Sequence, residues 1–168
     1  MNYIHPTALI GPNVIMGDNN YFGPYCIIGY PAEHKAFWEA ENGLRDIWNG
    51  TVLIGSNNKF TGHVTIDAGT VRSTYIGNNV WMLKHSHVGH DAGIGDDVVI
   101  SCGAKIGGHA VIGEGCNIGL NAVIHQKQII EPGCMIGMGA VVTKKLITQP
   151  NSKYVGNPAR YLGPNVKP

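Results

Sequence analysis

The stretch "IGDDVVISCGAKIGGHAVIGEGCNIGLNAVIH", residues 94–125, repeats one pattern every six residues. A large apolar residue stands at Ile94 and recurs at every sixth position up to Ile124. A small or β-branched residue precedes each of these anchors by two positions, and glycine often follows directly. A strict period of six matches neither the 3.6-residue period of an α-helix nor the two-residue period of an ordinary strand. The pattern is typical of a parallel β-helix, in which each hexad supplies one short strand and one corner with glycine or asparagine at positive φ.

The same period governs most of the chain outside this stretch. Large apolar residues recur at every sixth position from Ile4 to Ile28, from Ile54 to Ile66 and from Ile76 to Val142. Two interruptions break the series: a long one at about residues 30–50, and four extra residues between Ile66 and Ile76. Because loops that leave a rigid solenoid often carry binding groups, both interruptions are candidate parts of a functional site.

The repeat also predicts the architecture of the whole chain. Three hexads close one triangular coil of 18 residues, and successive coils stack about 4.8 Å apart. We therefore predict an all-β fold, a parallel β-helix solenoid that occupies residues 1–168 as a single domain. The interruption at about 30–50 is its loop insertion, and residues from about 145 to 168 form a C-terminal tail. The period alone does not decide the hand of the solenoid.

Charge and composition exclude several classes of protein. The chain has 168 residues, a formal net charge of +1 and only 14% charged residues, without any block of like charge. A nucleic-acid-binding protein would show a basic patch, so we predict no nucleic-acid partner. No apolar stretch approaches the roughly 20 residues that span a bilayer, and the N-terminus lacks a secretory pattern. We predict a cytoplasmic protein that is not transmembrane.

The four cysteines lie far apart and form no CxxC pair. Three of them, Cys26, Cys116 and Cys134, occupy the small position two residues before an anchor. They indicate neither a zinc knuckle nor a disulfide framework, and we predict structural thiols.

The 18-residue coil places residues that are 18 positions apart on the same edge of the solenoid. One predicted edge column contains His90, Gly108 and Gln126, and the adjoining column contains Asp91, His109 and Lys127. His125 directly precedes Gln126. A histidine, a carboxylate, a bare glycine amide and two further histidines should thus meet within a patch roughly 10 Å tall.

His90 and Asp91 together have the chemistry of a general base with its orienting acid. A neutral imidazole can take a proton from a sugar hydroxyl or amine, and a neighbouring carboxylate can fix its tautomer and stabilise the imidazolium. Attack on a thioester creates an oxyanion, which a backbone N–H left accessible by glycine can stabilise, as at Gly108. These residues therefore predict acyl transfer at this edge.

The crowding of histidines in "KHSHVGHD", residues 84–91, raises a metal site as an alternative. His85 and His90 have an HxxxxH spacing, and neutral imidazoles are good zinc ligands. A zinc enzyme of the γ-carbonic anhydrase type would use such histidines on the same solenoid. That hypothesis does not explain the aspartate after His90 or the glycine one coil above it, and we predict no metal site. A solenoid that serves only as a scaffold is a third alternative.

Four motifs connect these residues to a family. "HSHVGHD", "IGGHAVIG", "AVIHQ" and "GNPARYLGPN" resemble, in this order, motifs of the hexapeptide-repeat acyltransferases, and especially of the UDP-N-acetylglucosamine O-acyltransferases that begin lipid A synthesis. The resemblance implies a left-handed β-helix and a homotrimer with active sites between subunits. It also implies that His90 is the general base, that Asp91 is its acidic neighbour and that the Gly108 N–H stabilises the oxyanion.

The resemblance also implies a substrate site. The acceptor would be a nucleotide-linked sugar, bound by residues of the same motifs: His87, His109, His125 and Gln126. In "PAEHK", residues 31–35, Glu33 and Lys35 correspond to nucleotide or phosphate contacts of a loop in that family. The family's "TIxRGT" segment is "TIDAGT" here, at residues 65–70, so its arginine is missing.

On the donor side, the resemblance implies an acyl thioester and no bound cofactor. Met138 stands where the family sets acyl length, and a long side chain there predicts a short or medium acyl group. The motifs "VVTKKL" and "VGNPARYL" imply donor contacts through Lys144, Asn157 and Arg160. Acyl carrier protein and coenzyme A both fit this tail, and we expect no counterpart of the helical domain that follows it in the lipid A enzymes. A coenzyme A dependent sugar O- or N-acetyltransferase of the same fold is therefore the alternative activity.

Overall fold

Three β-sheets form the sides of a parallel β-helix. The structure is a computed structural model that describes residues 1–33 and 50–166. Its sheets contain nine, seven and six strands, and only the last strand of the chain pairs antiparallel with its neighbour. The solenoid predicted from the hexad repeat is confirmed. The described residues contain no helix, and so none that is long and apolar enough to cross a membrane.

The strands are short, and apart from the last two strands every third one along the chain joins the same sheet. The first sheet contains β1 (Tyr3–Ile4), β4 (Tyr21–Phe22), β7 (Lys59–Phe60), β10 (Trp81–Met82), β13 (Val99–Ile100), β16 (Asn117–Ile118), β19 (Met135–Ile136), β21 (Ser152–Val155) and β22 (Arg160–Pro164). The second sheet contains β2 (Leu9–Ile10), β5 (Ile27–Tyr30), β8 (Thr65–Asp67), β11 (His87–Val88), β14 (Lys105–Ile106), β17 (Val123–Ile124) and β20 (Val141–Val142). The third sheet contains β3 (Val14–Met16), β6 (Val52–Ile54), β9 (Thr74–Ile76), β12 (Gly93–Ile94), β15 (Val111–Ile112) and β18 (Ile129–Ile130).

The register between coils shows the 18-residue period and both of its interruptions. Val88 pairs with Ile106, one full coil later. Across the long insertion Val14 pairs with Val52, so the step between coils is 38 residues there. Val52 in turn pairs with Thr74, a step of 22 residues, which puts four residues outside the regular coil. The sheets stay in register because each insertion leaves the coil and returns to it at the same corner.

The anchor residues fill the interior of the solenoid. From Phe22 to Val142 every anchor is buried, and the residues two positions earlier share the same interior. Cys26, Cys116 and Cys134 are buried there as free thiols, as expected for structural cysteines. Since successive side chains of a strand point to opposite faces, a shift of one residue would turn the anchors outward, and burial of the anchors therefore enforces the register.

The glycines that directly follow the anchors allow close packing between coils. A β-carbon on Gly107 would lie 2.5 Å from the backbone nitrogen of Gln126 on the next coil. The left-handed backbone conformation occurs two residues later, where Asp91, His109 and Lys127 have φ of 59°, 60° and 61°. At other corners asparagine or glycine takes this conformation, as predicted, for example Asn121 with φ of 54° and Gly115 with φ of 66°. Directly after an anchor, as at Gly107, glycine is required by the backbone of the neighbouring coil.

Candidate active site

His90 and Asp91 stand at the corner that follows β11. Nδ1 of His90 lies 2.6 Å from Oδ2 of Asp91, within hydrogen-bonding distance. If Nδ1 donates to the carboxylate, Nε2 is the free nitrogen that can accept a proton. The His90 side chain is 21% exposed, whereas that of Asp91 is fully buried. The pair therefore presents one basic nitrogen to a ligand and shields its carboxylate from water.

The loop formed by the four extra residues, between β8 and β9, holds the Asp91 carboxylate. The Thr70 hydroxyl donates a hydrogen bond to Oδ2 at 2.6 Å. The backbone N–H groups of Val71 and Arg72 donate to Oδ1 at 2.8 and 2.6 Å, and that of Thr70 lies 3.1 Å from both oxygens. Nε of Arg72 also donates to the Asp91 carbonyl oxygen at 2.8 Å. The loop thus fixes both the side chain and the backbone of the corner.

These donors keep Asp91 ionised. Burial by itself would raise the pKa of Asp91, but hydrogen bonds from Thr70, the two following backbone N–H groups and His90 outweigh burial and hold the pKa well below its ordinary value. A carboxylate that stays charged can orient the imidazole of His90 and stabilise its protonated form. Sequence reasoning paired Asp91 with His90 and took this interruption as a candidate part of a functional site, but it did not predict that the loop binds the Asp91 carboxylate. Its only signal was the four-residue excess between two anchors.

Gly108 and His109 lie one coil above this pair. A β-carbon on Gly108 would be 2.8 Å from Nε2 of His90, so the bare glycine backbone faces the free nitrogen. Among the backbone hydrogen bonds of the described residues, none uses the Gly108 N–H as donor. The His109 ring packs edge-on against His90, with centroids 5.1 Å apart, and its Nε2 is 3.7 Å from Oδ2 of Asp91. Desolvation lowers the pKa of His109 and outweighs the opposite effect of Asp91, which favours the neutral imidazole.

A cavity of about 590 Å³ runs along the outer face of the second sheet towards this corner. His87 lies on its wall, where Nδ1 is 2.8 Å from the Thr65 hydroxyl and Nε2 is 3.8 Å from a carboxylate oxygen of Asp67. Glu33 lines the same cavity. Burial, followed by the negative charge of Glu33, raises the pKa of Asp67 to about 7, although His90 opposes the shift. Sequence reasoning missed Asp67 and Thr65, because neither belongs to a quoted histidine motif.

Three other predicted site residues lie on the coils above this cluster. His125 is exposed, and its Nδ1 is 2.7 Å from the carbonyl oxygen of Gln126, which is also exposed. No hydrogen bond or ring contact of the described residues joins either of them to His90. Lys144 occupies the same corner column as His90, three coils further along the solenoid. At about 4.8 Å per coil, the backbones of the two residues are about 14 Å apart.

The remaining predicted contacts lie elsewhere on the solenoid. Met138 is 76% exposed, at a corner between the first and second sheets. Asn157 is exposed in the turn between β21 and β22, and Arg160 is exposed at the start of β22. Lys35 falls outside the described residues. The structure thus brings together His90, Asp91, Gly108 and His109, and places His87 and Glu33 in the cavity.

Known proteins similar in sequence carry one recurring name. No family model matches the chain. The UDP-N-acetylglucosamine O-acyltransferase of Rickettsia canadensis, named for an acyl carrier protein donor, is 33% identical over 120 residues, 52% of this chain and 45% of that protein. Its namesake from Syntrophobacter fumaroxidans is 31% identical over 97 residues, 56% of this chain and 34% of that protein. The chain spans less than half the length of these two relatives.

Solved structures extend the similarity to nearly the whole chain. The UDP-N-acetylglucosamine acyltransferase of Bacteroides fragilis superimposes with a TM-score of 0.75 and 28% identity, covering 98% of this chain and 73% of that one. A mutant perosamine N-acetyltransferase from Caulobacter crescentus, solved with coenzyme A and GDP-perosamine, shares the fold at a TM-score of 0.64 and 18% identity, covering 96% of this chain and 56% of that one. The resemblance predicted from the motifs is confirmed: the chain is similar in sequence and fold to UDP-N-acetylglucosamine O-acyltransferases, and similar in fold to a sugar N-acetyltransferase.

Proposed function

We propose that this protein transfers a short or medium acyl chain from a thioester donor to a hydroxyl group of a nucleotide-linked sugar. The observation that carries the proposal is the free Nε2 of His90, which has the buried Asp91 carboxylate behind it and faces the bare backbone of Gly108. Acyl transfer through a tetrahedral intermediate requires a base and an N–H donor close to each other. The names of the relatives in sequence and fold support the same chemistry.

The proposed reaction has two steps. Nε2 of His90 removes the proton of the acceptor hydroxyl while the hydroxyl oxygen bonds to the carbonyl carbon of the thioester. Negative charge then collects on the carbonyl oxygen, where the Gly108 N–H stabilises it, and Asp91 stabilises the imidazolium. As the C=O bond forms again, the C–S bond breaks, and the leaving thiolate takes the proton from His90. The products are an ester and a free thiol, and the base is neutral again.

The acceptor sugar is proposed to occupy the end of the cavity next to His90. His87 and Asp67 can exchange hydrogen bonds with sugar hydroxyls there, because imidazole and carboxyl groups both donate and accept near neutral pH. Glu33, which lines the same cavity, adds a further acceptor. His109 packs against His90 from the next coil and is a further candidate contact of the sugar.

The thioester donor is proposed to approach along the corner column above His90. Lys144 stands on that column and can meet a donor phosphate. Asn157 lies in the turn of the hairpin between β21 and β22, and Arg160 begins β22. These two residues are candidate donor contacts, and the exposed Met138, between β19 and β20, is the candidate limit on acyl length. The relatives' names include an acyl carrier protein donor, and a protein of the same fold was solved with coenzyme A. A coenzyme A dependent sugar acetyltransferase would use the same base and is the second candidate.

A zinc site at these histidines fits the geometry less well. One ligand atom each of His90, Asp91 and His109 lies within 4.8 Å of the others. However, both carboxylate oxygens of Asp91 already accept hydrogen bonds from the loop at residues 70–72 and from His90. His85, the other ligand suggested by spacing, lies at the opposite end of β11, where its ring stacks on His63 at 4.7 Å. The arrangement favours a base with an orienting acid over a metal centre.

We also propose a homotrimer. The outward side chains of the third sheet form an apolar column in which Ile15 is 64% and Ile129 is 56% exposed. Tyr75 and Val111 lie between them and are also exposed. An exposed apolar surface of this length is typical of a protein–protein contact. Light scattering should give a mass three times that of the 18.0 kDa chain, and a monomer would contradict the proposal.

The function is tested by a thioester-consumption assay. Acyl carrier protein and coenzyme A donors of graded acyl length are paired with a panel of UDP-, GDP- and dTDP-sugars. We expect turnover with at least one pair, and a loss of about 10²–10⁴ in turnover for His90→Ala, the range typical of a general base. His5→Ala is the matched control, because His5 contacts only Thr7 through its side chain among the described residues. Substantial turnover by His90→Ala would remove His90 as the base.

A further inference from the structure

The cavity on the second sheet has an end that the proposed chemistry does not use. It follows β11 away from His90 to the opposite corner, where His63 and His85 line it. Lys105, on the next strand of the sheet, lines the same end. At about 590 Å³ the cavity is as large as typical sites for whole small-molecule ligands, which leaves space beyond an acceptor sugar.

The two ends of this cavity differ in charge. Glu33 and Asp67 place carboxyl groups towards the His90 end, close enough to each other that the charge of Glu33 raises the pKa of Asp67. The opposite end carries the Lys105 ammonium and two imidazoles. Within residues 1–33 and 50–166 no carboxylate forms an ion pair with Lys105. An anionic group of a ligand is therefore attracted to the Lys105 end and repelled from the other.

Contacts within the protein hold the groups at the cationic end in place. The His63 ring stacks on the rings of Tyr25 and His85, with centroids 5.0 and 4.7 Å apart. The Lys105 ammonium donates a hydrogen bond to the backbone carbonyl oxygen of His85, which leaves two further N–H groups for a ligand. The ammonium and the two stacked imidazoles are thus gathered at one corner. Because these groups are held in advance, a ligand loses less entropy on binding them.

We propose that Lys105, His85 and His63 bind a diphosphate group. The inference rests on the proposed function and adds the direction of the acceptor: the sugar lies next to His90, and the diphosphate of the nucleotide lies along β11 towards His85. His85 and His90 are five residues apart, which is at most about 16 Å along an extended chain, so one nucleotide sugar can reach both. Coenzyme A also contains a diphosphate, and the experiment has to separate these two sources.

Isothermal titration calorimetry of the full chain with UDP, UMP, uridine and coenzyme A tests this site. The variants are Lys105→Met and the matched control Lys59→Met, whose ammonium lies 4.4 Å from the centroid of the Trp81 ring on the first sheet. We expect UDP to bind at least tenfold more tightly than UMP, and Lys105→Met to weaken UDP binding at least tenfold. His85→Ala should weaken UDP binding as well, whereas Lys59→Met should bind like the wild type. Thermal unfolding shows whether each variant is folded.

Three results would overturn the inference: no UDP binding to the wild type, an unchanged UDP affinity in Lys105→Met, or a loss of affinity for coenzyme A instead of UDP. The acyl-transfer assay separates these failures from a failure of the proposed function. If the wild type acylates a nucleotide sugar and Lys105→Met leaves the KM for that sugar unchanged, the diphosphate site is wrong and the function stands. If UDP binds through Lys105 but no donor acylates any acceptor, the function is wrong and the site stands.

Discussion

Replacing Thr70 with valine removes one hydrogen bond from Asp91 and leaves the rest of the loop in place. The Thr70 hydroxyl donates at 2.6 Å to Oδ2, the oxygen that also pairs with Nδ1 of His90. A hydrogen bond to a charged group contributes about 1.5–3 kcal/mol, and valine has nearly the shape of threonine. We therefore expect the free energy of unfolding to fall by about 1.5–3 kcal/mol at pH 7. At 1.36 kcal/mol per unit, the same loss raises the folded-state pKa of Asp91 by about 1–2 units.

The measurement is urea-induced unfolding at pH 7, with Thr70→Ser as the matched control that keeps the hydroxyl. The pKa of Asp91 is lower in the folded state, so its stabilising effect is present above the unfolded pKa near 4 and disappears as the pH falls through the folded value. The difference in the free energy of unfolding between Thr70→Val and Thr70→Ser should therefore have its maximum value at pH 7. Because a less firmly held carboxylate orients His90 less well, turnover by Thr70→Val should also fall about tenfold. Equal unfolding free energies for the two variants would refute the role assigned to the hydroxyl.

Three further predictions concern the cavity, the oxyanion donor and the core. The pKa of Asp67 is raised to about 7, above an unfolded value near 4, so the folded chain loses stability as pH rises between these values. In the wild type this effect should lower the free energy of unfolding by about 2.7 kcal/mol from pH 5 to pH 8, about two pH units at 1.36 kcal/mol each. Asp67→Asn should abolish that part of the pH dependence in urea unfolding, and an unchanged pH dependence would contradict the raised pKa. Gly108→Ala places a β-carbon 2.8 Å from Nε2 of His90, so turnover should fall at least tenfold with an unchanged melting temperature; full turnover would speak against the proposed geometry. Ile106→Ala, in the buried core, should lower the unfolding free energy by about 2–5 kcal/mol, whereas the outward control Val123→Ala should change it by about 0.5 kcal/mol or less; similar losses would mean that the anchors are not the core.

The regular part of the fold could be predicted by counting along the sequence. Each anchor has to point inward, so a constant spacing of six residues determines the strands, the corners and the pairing of Val88 with Ile106. The same count places Gly108 one coil above His90, and in the structure a β-carbon on Gly108 would lie 2.8 Å from Nε2 of His90. Asp91 needed no long-range information, because it is the next residue in the chain.

Tertiary structure decided what the insertions and the corner side chains contact. The residues near Thr70 carry no repeat, and only the folded path of their loop puts their N–H groups on the Asp91 carboxylate. Asp67 has its raised pKa because it is buried and because Glu33, at the start of the other insertion, faces the same cavity. His125 was expected beside His90 and Asp91, but its Nδ1 lies next to the carbonyl oxygen of Gln126. The 18-residue period predicts how far along the solenoid a residue lies, and it does not predict the direction of the side chain. The solenoid, its register and the pairing of base and acid follow from the amino-acid sequence, because they depend on distances along the chain. The loop that holds the acid and the charged ends of the cavity depend on contacts between segments that no period relates, so they become visible only in the folded chain.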